Sequence, residues 1–401
     1  MKRLLFVDDE QPVLDGLRSR LHRMVGRWQM DFVTSGELAI DHLQRHPCDL
    51  VVTDMRMPGM DGASLLEQVS TRWPQTVRIV LSGYSELEQT IRLVPFAHQY
   101  LSKPCQPRQL EGVIERCLLL QDLLNRADLR AIVGRIRKLP SLPHIYTKLR
   151  NIVRDENVTL EEVATLVAAD SALAARVLQV VNSAFFRLAR RISNIEQAVN
   201  YLGFTAIRNL AVSLEIFAQW PRGASGVLDL HKLQAHAHSV ASVASALTAG
   251  TLIADDTMLA GLLHDIGYWI LAQECPADLH QATELAAAKG IALHEAESQV
   301  IGASHAEIGA YLLGIWGLPY PVIEAVAHHH QPHRVQQSEF DVLAAVAVAH
   351  SLVEGDDASA FGTRLTPDPR VDASYLVAIS APFDWDSCLR RVNARSRESA
   401  S

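Results

Sequence analysis

Along the first third of the chain, short unbroken apolar runs alternate with stretches in which apolar positions recur every three or four residues. The runs are Leu4-Leu5-Phe6-Val7, Leu50-Val51-Val52, Val77-Arg78-Ile79-Val80-Leu81 and Gln99-Tyr100-Leu101. Strands covered by helices on both faces read as continuous apolar runs, so residues 1–122 are expected to form a doubly wound, five-stranded parallel sheet. From Leu110 a helical pattern runs through Val113, Ile114, Cys117, Leu118 and Leu120 to Leu124. It passes into a basic segment with Arg126, Arg130, Arg135, Arg137 and Lys138 before Pro140 and Pro143 interrupt it. Residues 123–138 therefore read as a helical basic linker. After Leu139 strand signals nearly vanish, and alanine and leucine periodicity predicts an all-helical domain over 139–355. One helix start is marked by Thr159 and Glu162 at capping-box spacing, with Val158 and Val163 placed as a hydrophobic staple. Asp, Pro and Arg punctuation past Gly355 predicts a partly disordered tail over 356–401. The fold class is thus α/β plus all-α.

A chain of 401 residues is too long for one ordinary core, which agrees with that division. It is 48% hydrophobic and 20% charged, and no apolar run approaches the roughly 20 residues that span a bilayer. Met1-Lys2-Arg3 is basic, but the apolar segment behind it stops at Asp8-Asp9-Glu10, short of a signal-peptide core. A cytoplasmic chain without a membrane segment is expected. The five cysteines are scattered without CxxC spacing, which points to neither a zinc knuckle nor a disulfide framework. A net charge of -8 argues against a broad nonspecific nucleic-acid footprint. "NSAFFRLARRISN" carries Arg187, Arg190 and Arg191, but without a helix-turn-helix context it reads as a solvated helix end, and direct DNA binding is not expected.

In an open parallel sheet the ligand site lies outside the carboxyl ends of the strands. Asp8 and Asp9 follow the first run, Asp54 follows "LVVT", Ser82 follows "RIVL" and Lys103 follows "QYLS". Any one Asp after a strand is as readily a helix N-cap or turn former. Five such residues at the ends of four strands point instead to carboxylates that a hard cation such as Mg²⁺ would hold, beside a lysine and a hydroxyl suited to a phosphoryl group. On these residues the segment resembles a two-component response-regulator receiver domain. The resemblance implies that Asp54, in "VVTDMRMPGMDG", accepts a phosphoryl group from a sensor histidine kinase. It implies Mg²⁺ held by Asp8, Asp9, Asp54 and the backbone carbonyl of Arg56. Ser82 would be the switch hydroxyl, Lys103 the phosphate-binding lysine, Pro104 a cis proline and Tyr100 the aromatic rotamer switch.

Twelve of the 17 histidines fall between His231 and His350. Neutral imidazoles and a carboxylate brought together from several helices suit a transition-metal site. The candidates are His238, His264-Asp265, His305 and His328-His329-His330, whereas His231, His236, His280, His294 and His333 read as ordinary core or cap residues. "LPSLPHIYTKL", "VATLVAADSALAARVLQVVNSAFF", "ISNIEQAVNYLGFTAIRNLAV" and "HAEIGAYLLGIWGLPYPVIEAVAHHH" resemble an HDOD domain, the output module related to the metal-dependent HD phosphohydrolases. That resemblance implies a site at His238, His264, Asp265, His305, His329 and His330, holding Fe, Mn or Zn. Three features depart from the hydrolytic relatives. Tyr268 stands where a lysine is usual, the GYP signature is absent, and His350 stands where a metal-binding aspartate is expected.

The leading expectation is a phosphorelay response regulator, in which Asp54 controls a non-catalytic HDOD interaction module acting on a downstream signalling protein. Resemblance to receivers that pair through their last helix and strand suggests a homodimer. The alternative is a receiver-regulated metal-dependent phosphodiesterase acting on a cyclic dinucleotide or other nucleotide. The three departures favour the non-enzymatic reading.

Overall fold

The computed structural model describes residues 1–83, 96–103, 107–123, 127–135, 158–182, 191–213, 228–337, 339–353, 371 and 373–379. Its first part alternates β1 (Lys2–Val7), α1 (Gln11–Arg20), β2 (Trp28–Val33), α2 (Gly36–Arg45), β3 (Leu50–Asp54), α3 (Gly62–Arg72), β4 (Val77–Gly83), β5 (Gln99–Lys103) and α4 (Pro107–Leu123). The five strands are parallel in the order β2-β1-β3-β4-β5. Successive side chains on a strand point to opposite faces. Accordingly Leu4 and Phe6 pack with α1 and α4, while Leu5 and Val7 pack with α2 and α3. Both faces of the sheet are covered, as the unbroken apolar runs predict. Only β2 is not marked by such a run: Gln29 and Asp31 interrupt its apolar residues, which an edge strand tolerates.

The remaining described elements are helical: α5 (Ala127–Arg135), α6 (Leu160–Ala168), α7 (Ser171–Val181), α8 (Ile195–Ser213), α9 (Leu230–Leu247), α10 (Ala254–Leu263), α11 (Ile266–Glu274), α12 (Pro276–Lys289), α13 (Leu293–Val300), α14 (His305–Ile315), α15 (Tyr320–His328), α16 (Val342–Val353) and α17 (Ala373–Ala378). Helices α9, α10, α15 and α16 pack against one another, and α14 lies against α11 and α15. Within the segment expected to be a tail, α17 packs Leu376 and Ile379 against Ala344, Ala347 and Val348 of α16. No single helix among the described residues is long and apolar enough to cross a bilayer. Pro104, Pro140, Arg187 and Arg190 lie outside the described residues.

The sheet and the helices share one apolar core. Val80, Ala97 and Tyr100 of the sheet side are continuous with Val133, Val177 and Trp316. Strand β5 is the second edge of the sheet, and helices α4, α5 and α14 pack together beside it.

At the start of α6, Thr159 Oγ1 accepts from the Glu162 amide at 3.2 Å and the Thr159 amide donates to Glu162 Oε2 at 2.9 Å. Both halves of the expected capping box form. Replacing Thr159 by alanine removes one of them and is expected to cost about 1 kcal/mol, read as a lower denaturant midpoint, whereas Thr159→Ser should stay near the parent.

Candidate functional site

Parallel strands all end on one side, so the residues that close β1, β3, β4 and β5 meet at one edge. Asp54 is the last residue of β3, and Asp8 follows β1 directly. Both are buried, whereas Asp9 and Arg56 are exposed. Lys103 Nζ lies 2.7 Å from Asp8 Oδ2 and 2.5 Å from Asp54 Oδ1. The Arg56 amide donates to Asp54 Oδ2 at 3.2 Å, and the Glu10 amide to Asp8 Oδ1 at 3.0 Å. Burial pushes the Asp54 carboxyl above its ordinary value and Asp8 adds to the rise, while Lys103 draws it down. Burial also disfavours the Lys103 ammonium, but Asp54 and Asp8 outweigh it and raise its pKa. Ser82, wholly buried, is the penultimate residue of β4, opposite Ser102. Tyr100 is turned inward, and its hydroxyl donates to the Ala97 carbonyl at 3.3 Å.

The second cluster is built around Asp265, in the turn between α10 and α11. Its Oδ2 lies 3.2 Å from His264 Nε2 and 3.8 Å from His236 Nε2. Its Oδ1 lies 3.3 Å from His305 Nε2 and 3.8 Å from His329 Nε2. His350 completes the set, its ring 5.2 Å from that of His264 and 5.3 Å from that of His236. Among the described residues, ligand atoms come within 4.8 Å of one another in three groups: His236, His264 and His350; His305, His329 and His330; and His264, Asp265 and His329.

The tautomers follow from the backbone. His264 Nδ1 is 2.8 Å from the Gly261 carbonyl and His329 Nδ1 is 2.9 Å from that of Val326. A carbonyl can only accept, so in each ring Nδ1 carries a proton; His329, held well below the ordinary histidine value by burial, is neutral, and its Nε2 presents a lone pair. Among the described residues both Nε2 atoms are buried without a hydrogen-bond partner; the 3.2 Å approach of His264 to Asp265 lacks hydrogen-bond geometry. The His329 lone pair facing the Asp265 carboxylate repels it, and a cation between them turns that repulsion into ligation. Nδ1–H bonded to a carbonyl is also the arrangement that orients imidazole metal ligands. The donor set therefore fits a transition ion.

His305 is held differently. Glu297 Oε2 accepts from its backbone amide at 2.7 Å and from its Nδ1 at 2.8 Å. Burial disfavours the His305 imidazolium, but Glu297 and Asp265 outweigh it and raise it to about 10. Burial and mutual repulsion hold His329, His330 and His350 well below the ordinary histidine value. Burial also opposes the Asp265 carboxylate, yet His264 and His305 keep it well below its ordinary value. Tyr268 stacks on the His305 ring at 3.8 Å.

Sequence reasoning and structure part at several residues. His238 is exposed and its Nε2 sits 3.1 Å from the Gln234 side chain, so the helix contributes His236 to the cluster in its place. His294, which the sequence pattern marks as an ordinary core residue, stacks on His330 at 4.4 Å. His350, which stands as a lost carboxylate, instead supplies an imidazole donor. Glu297 escapes the sequence reasoning altogether. Its signal is an acid one helical turn from Leu293, on the buried face of α13. His231, His280 and His333 are exposed.

The glycine of "HDIG" sets the spacing of the cluster. A Cβ on Gly267 would fall 1.9 Å from the His305 carbonyl oxygen, so only glycine lets α11 approach the start of α14 this closely. Gly267→Ala is expected to force the helices apart, costing about 1–3 kcal/mol as an overpacked core and weakening any ion held between Asp265 and His305. Denaturant midpoint and bound metal measured on the same sample check both effects.

Two family models match in chain order. The response regulator receiver domain matches residues 4–115 and the HDOD domain matches residues 139–332. A curated but uncharacterized protein of Treponema pallidum is 29% identical over 276 residues, covering 66% of this chain and 50% of that one. The hydrogenase transcriptional regulatory protein HoxA of Cupriavidus necator is 37% identical over 131 residues, covering 31% of this chain and 27% of HoxA. The chain thus spans half or less of the length of these two relatives. Among solved structures, the MmoQ response regulator of Methylococcus capsulatus shares the fold at a TM-score of 0.50 and 21% identity, covering 64% of this chain and 98% of that one. Receiver domains generally bind Mg²⁺ and HD-type domains can bind metals, in keeping with the two clusters. With both matches lying in order on the sheet and helices described, the chain belongs to the two-component response regulators that join a receiver domain to an HDOD domain.

Proposed function

We propose that this chain is a cytoplasmic phosphorelay protein in which Asp54 accepts a phosphoryl group from a sensor histidine kinase and so controls a non-catalytic output module that acts on a downstream signalling protein. The contact of Lys103 with both Asp8 and Asp54 is the observation that carries the reading, because a buried carboxylate beside a lysine ammonium suits a nucleophile with a cation to receive the phosphoryl oxygens. In the transfer an Asp54 oxygen bonds to phosphorus as the donor's P–N bond breaks, its electron pair leaving with the imidazole nitrogen. Lys103 turns from Asp54 to the phosphoryl oxygens, and Ser82 donates its hydroxyl to another. Mg²⁺, when held by Asp8, Asp9, Asp54 and the Arg56 carbonyl, offsets the negative charge gathered there. Incubation with acetyl phosphate and Mg²⁺ is expected to add one phosphoryl group by intact mass, and Asp54→Asn to abolish the gain. A gain that survives in Asp54→Asn would show that another residue is the acceptor.

For the output module we infer a closed Fe, Mn or Zn site formed by His236, His264, Asp265, His305, His329, His330 and His350. His264 and His329, each anchored through Nδ1 to a backbone carbonyl with its Nε2 buried beside Asp265, support it. Such an ion would supply structural cross-linking among α9, α11, α14, α15 and α16. Tyr268, stacked on His305, brings no cation to neutralise a substrate phosphate. Elemental analysis should find metal in the parent and lose it in His264→Ala/Asp265→Ala, with no hydrolysis of cyclic di-GMP in either. Turnover in the parent that disappears in the double variant would establish the phosphodiesterase instead.

A further inference from the structure

Four arginines lie where the sheet and its last helix meet the helical domain, and they are not satisfied alike. Arg78 is wholly buried and spends its donors on carbonyls: Nε on Phe96 at 2.6 Å, Nη2 on Gly134 at 2.7 Å and Nη1 on Thr76 at 3.0 Å. Arg176, also wholly buried, donates through Nη1 to Gln179 Oε1 at 2.9 Å and lies 4.2 Å over the Trp316 ring. Gln179 in turn donates to the Ala97 carbonyl at 3.3 Å. Carbonyls, an amide and an aromatic face thus hold these two in place.

Arg116 and Arg191 are held differently. Arg116 belongs to α4, and its Nε and Nη2 are enclosed with no hydrogen-bond partner among the described residues. Arg191 stands ahead of α8 and is fixed by Asn182 at the end of α7. Asn182 Oδ1 accepts from the Ile192 amide at 2.7 Å, its Nδ2 donates to the Ile192 carbonyl at 2.6 Å, and its own carbonyl accepts from Arg191 Nη1 at 2.9 Å. Room for the Arg191 guanidinium comes from Gly317, just past α14. A Cβ there would fall 2.8 Å from Arg191 Nη1 and 2.6 Å from Gln99 Nε2, which donates to the Ile315 carbonyl at 2.6 Å. Gly317 also holds a φ of 81°, which favours glycine.

The two guanidiniums are neighbours, since both act on the Cys117 thiol. Burial lowers Arg191 to about 9, with Arg116 adding to the fall, and burial lowers Arg116 as well. Among the described residues no carboxylate offsets either charge. Burial pushes the Cys117 thiol up to about 11, so it supplies no negative charge near neutral pH. Like charges enclosed without a counter-ion are costly, and an anion between them removes that cost. A guanidinium fork grips an oxyanion through paired N–H donors. Two forks match the two charges of a phosphate better than the single charge of a carboxylate. Both arginines keep partial exposure, so a small anion can enter from solvent.

We infer that Arg116 and Arg191 form an oxyanion site between the receiver's last helix and the helical domain, whose ligand is a dianionic phosphate group, borne by inorganic phosphate or by a small phosphate monoester. It uses neither Asp54 nor the imidazole cluster. Because α4 supplies one arginine and the lead into α8 the other, a phosphate held by both adds its binding free energy to the association of the two parts.

The test titrates the full chain, without Mg²⁺, with inorganic phosphate, glycerol phosphate and acetate, read by calorimetry. Phosphate or its ester is expected to bind, the tighter of the two marking the source, and acetate to bind about ten-fold or more weakly. Arg116→Met removes one fork and should weaken the tighter ligand about ten-fold or more, the loss of one hydrogen bond to a charged group. Its denaturant midpoint in phosphate-free buffer should equal or exceed the parent's, because an apolar chain replaces an uncompensated cation. Should that variant not fold, Arg191→Gln, which keeps a donor for the Asn182 carbonyl, takes its place with the same expected loss. Arg27→Met removes an exposed arginine paired with Glu115 at 2.8 Å and should bind as the parent does. Failure of the parent to bind either phosphate compound overturns the site. Unchanged affinity in Arg116→Met does so too, as does an equal loss in Arg27→Met, since net charge alone then suffices. Acetate bound as tightly as phosphate overturns the assignment of a dianion.

Discussion

A single ammonium group, Lys103 Nζ, lets two buried carboxylates share the carboxyl edge of the sheet. Unit charges about 4 Å apart near a protein surface interact by about 4 kcal/mol, so Asp8 and Asp54 left to themselves would repel strongly. Lys103 touches both and removes that repulsion. A phosphoryl group on Asp54 brings further negative charge to the same place, and Lys103 cannot then keep its present position between two carboxylates. The consequence is carried by β5 itself. Lys103 lies at one end of this five-residue strand, Gln99 at the other and Tyr100 between them, so the residue that answers charge and a residue that meets the helices belong to one strand.

The helical domain balances its buried charge in the opposite way. Around Asp265 the neighbours are imidazoles: His305 is drawn to its protonated form by Asp265 and by Glu297 behind it, while burial holds His329, His330 and His350 neutral. A divalent ion would be balanced by these two carboxylates. Because His264, His305 and His329 are buried and Tyr268 covers His305, such an ion would be enclosed by side chains, as in structural metal sites, which fill their coordination with protein ligands. His350 in place of an acid is consistent with that role. It keeps a donor where a ligand is needed and lowers the negative charge that a hard, oxygen-seeking cation would prefer.

Features that depend on neighbours along the chain are legible in the amino-acid sequence. Apolar runs mark four of the strands, Thr159 and Glu162 mark a helix start, and strand ends mark Asp8, Asp54 and Lys103. Choices that depend on which helix lies alongside are not legible there. His236 and His238 flank the same buried stripe of α9, the first beside Leu233 and Val240, the second beside Gln234 and Ala241. Spacing along one helix cannot tell which flank meets Asp265, since that is decided by the packing of α10 and α16. Gln179 and Gln99 are equally silent, because a buried glutamine amide declares itself only through a partner far away in the chain.

Edge position explains why β5 is where the two halves meet. An edge strand exposes unpaired backbone groups and must be covered, shortened or charged to avoid adventitious pairing. Here the covering is done by the chain's own helices, with side-chain amides donating to carbonyls at Ala97 and Ile315. The homodimer expected from resemblance would use the last strand and helix of the receiver, which is the surface that α5 and α14 occupy. Both arrangements cannot exist on one molecule at once. Pairing between receivers through that face therefore demands that the output helices first leave it, and whatever strengthens the intramolecular cover weakens the dimer by the same free energy.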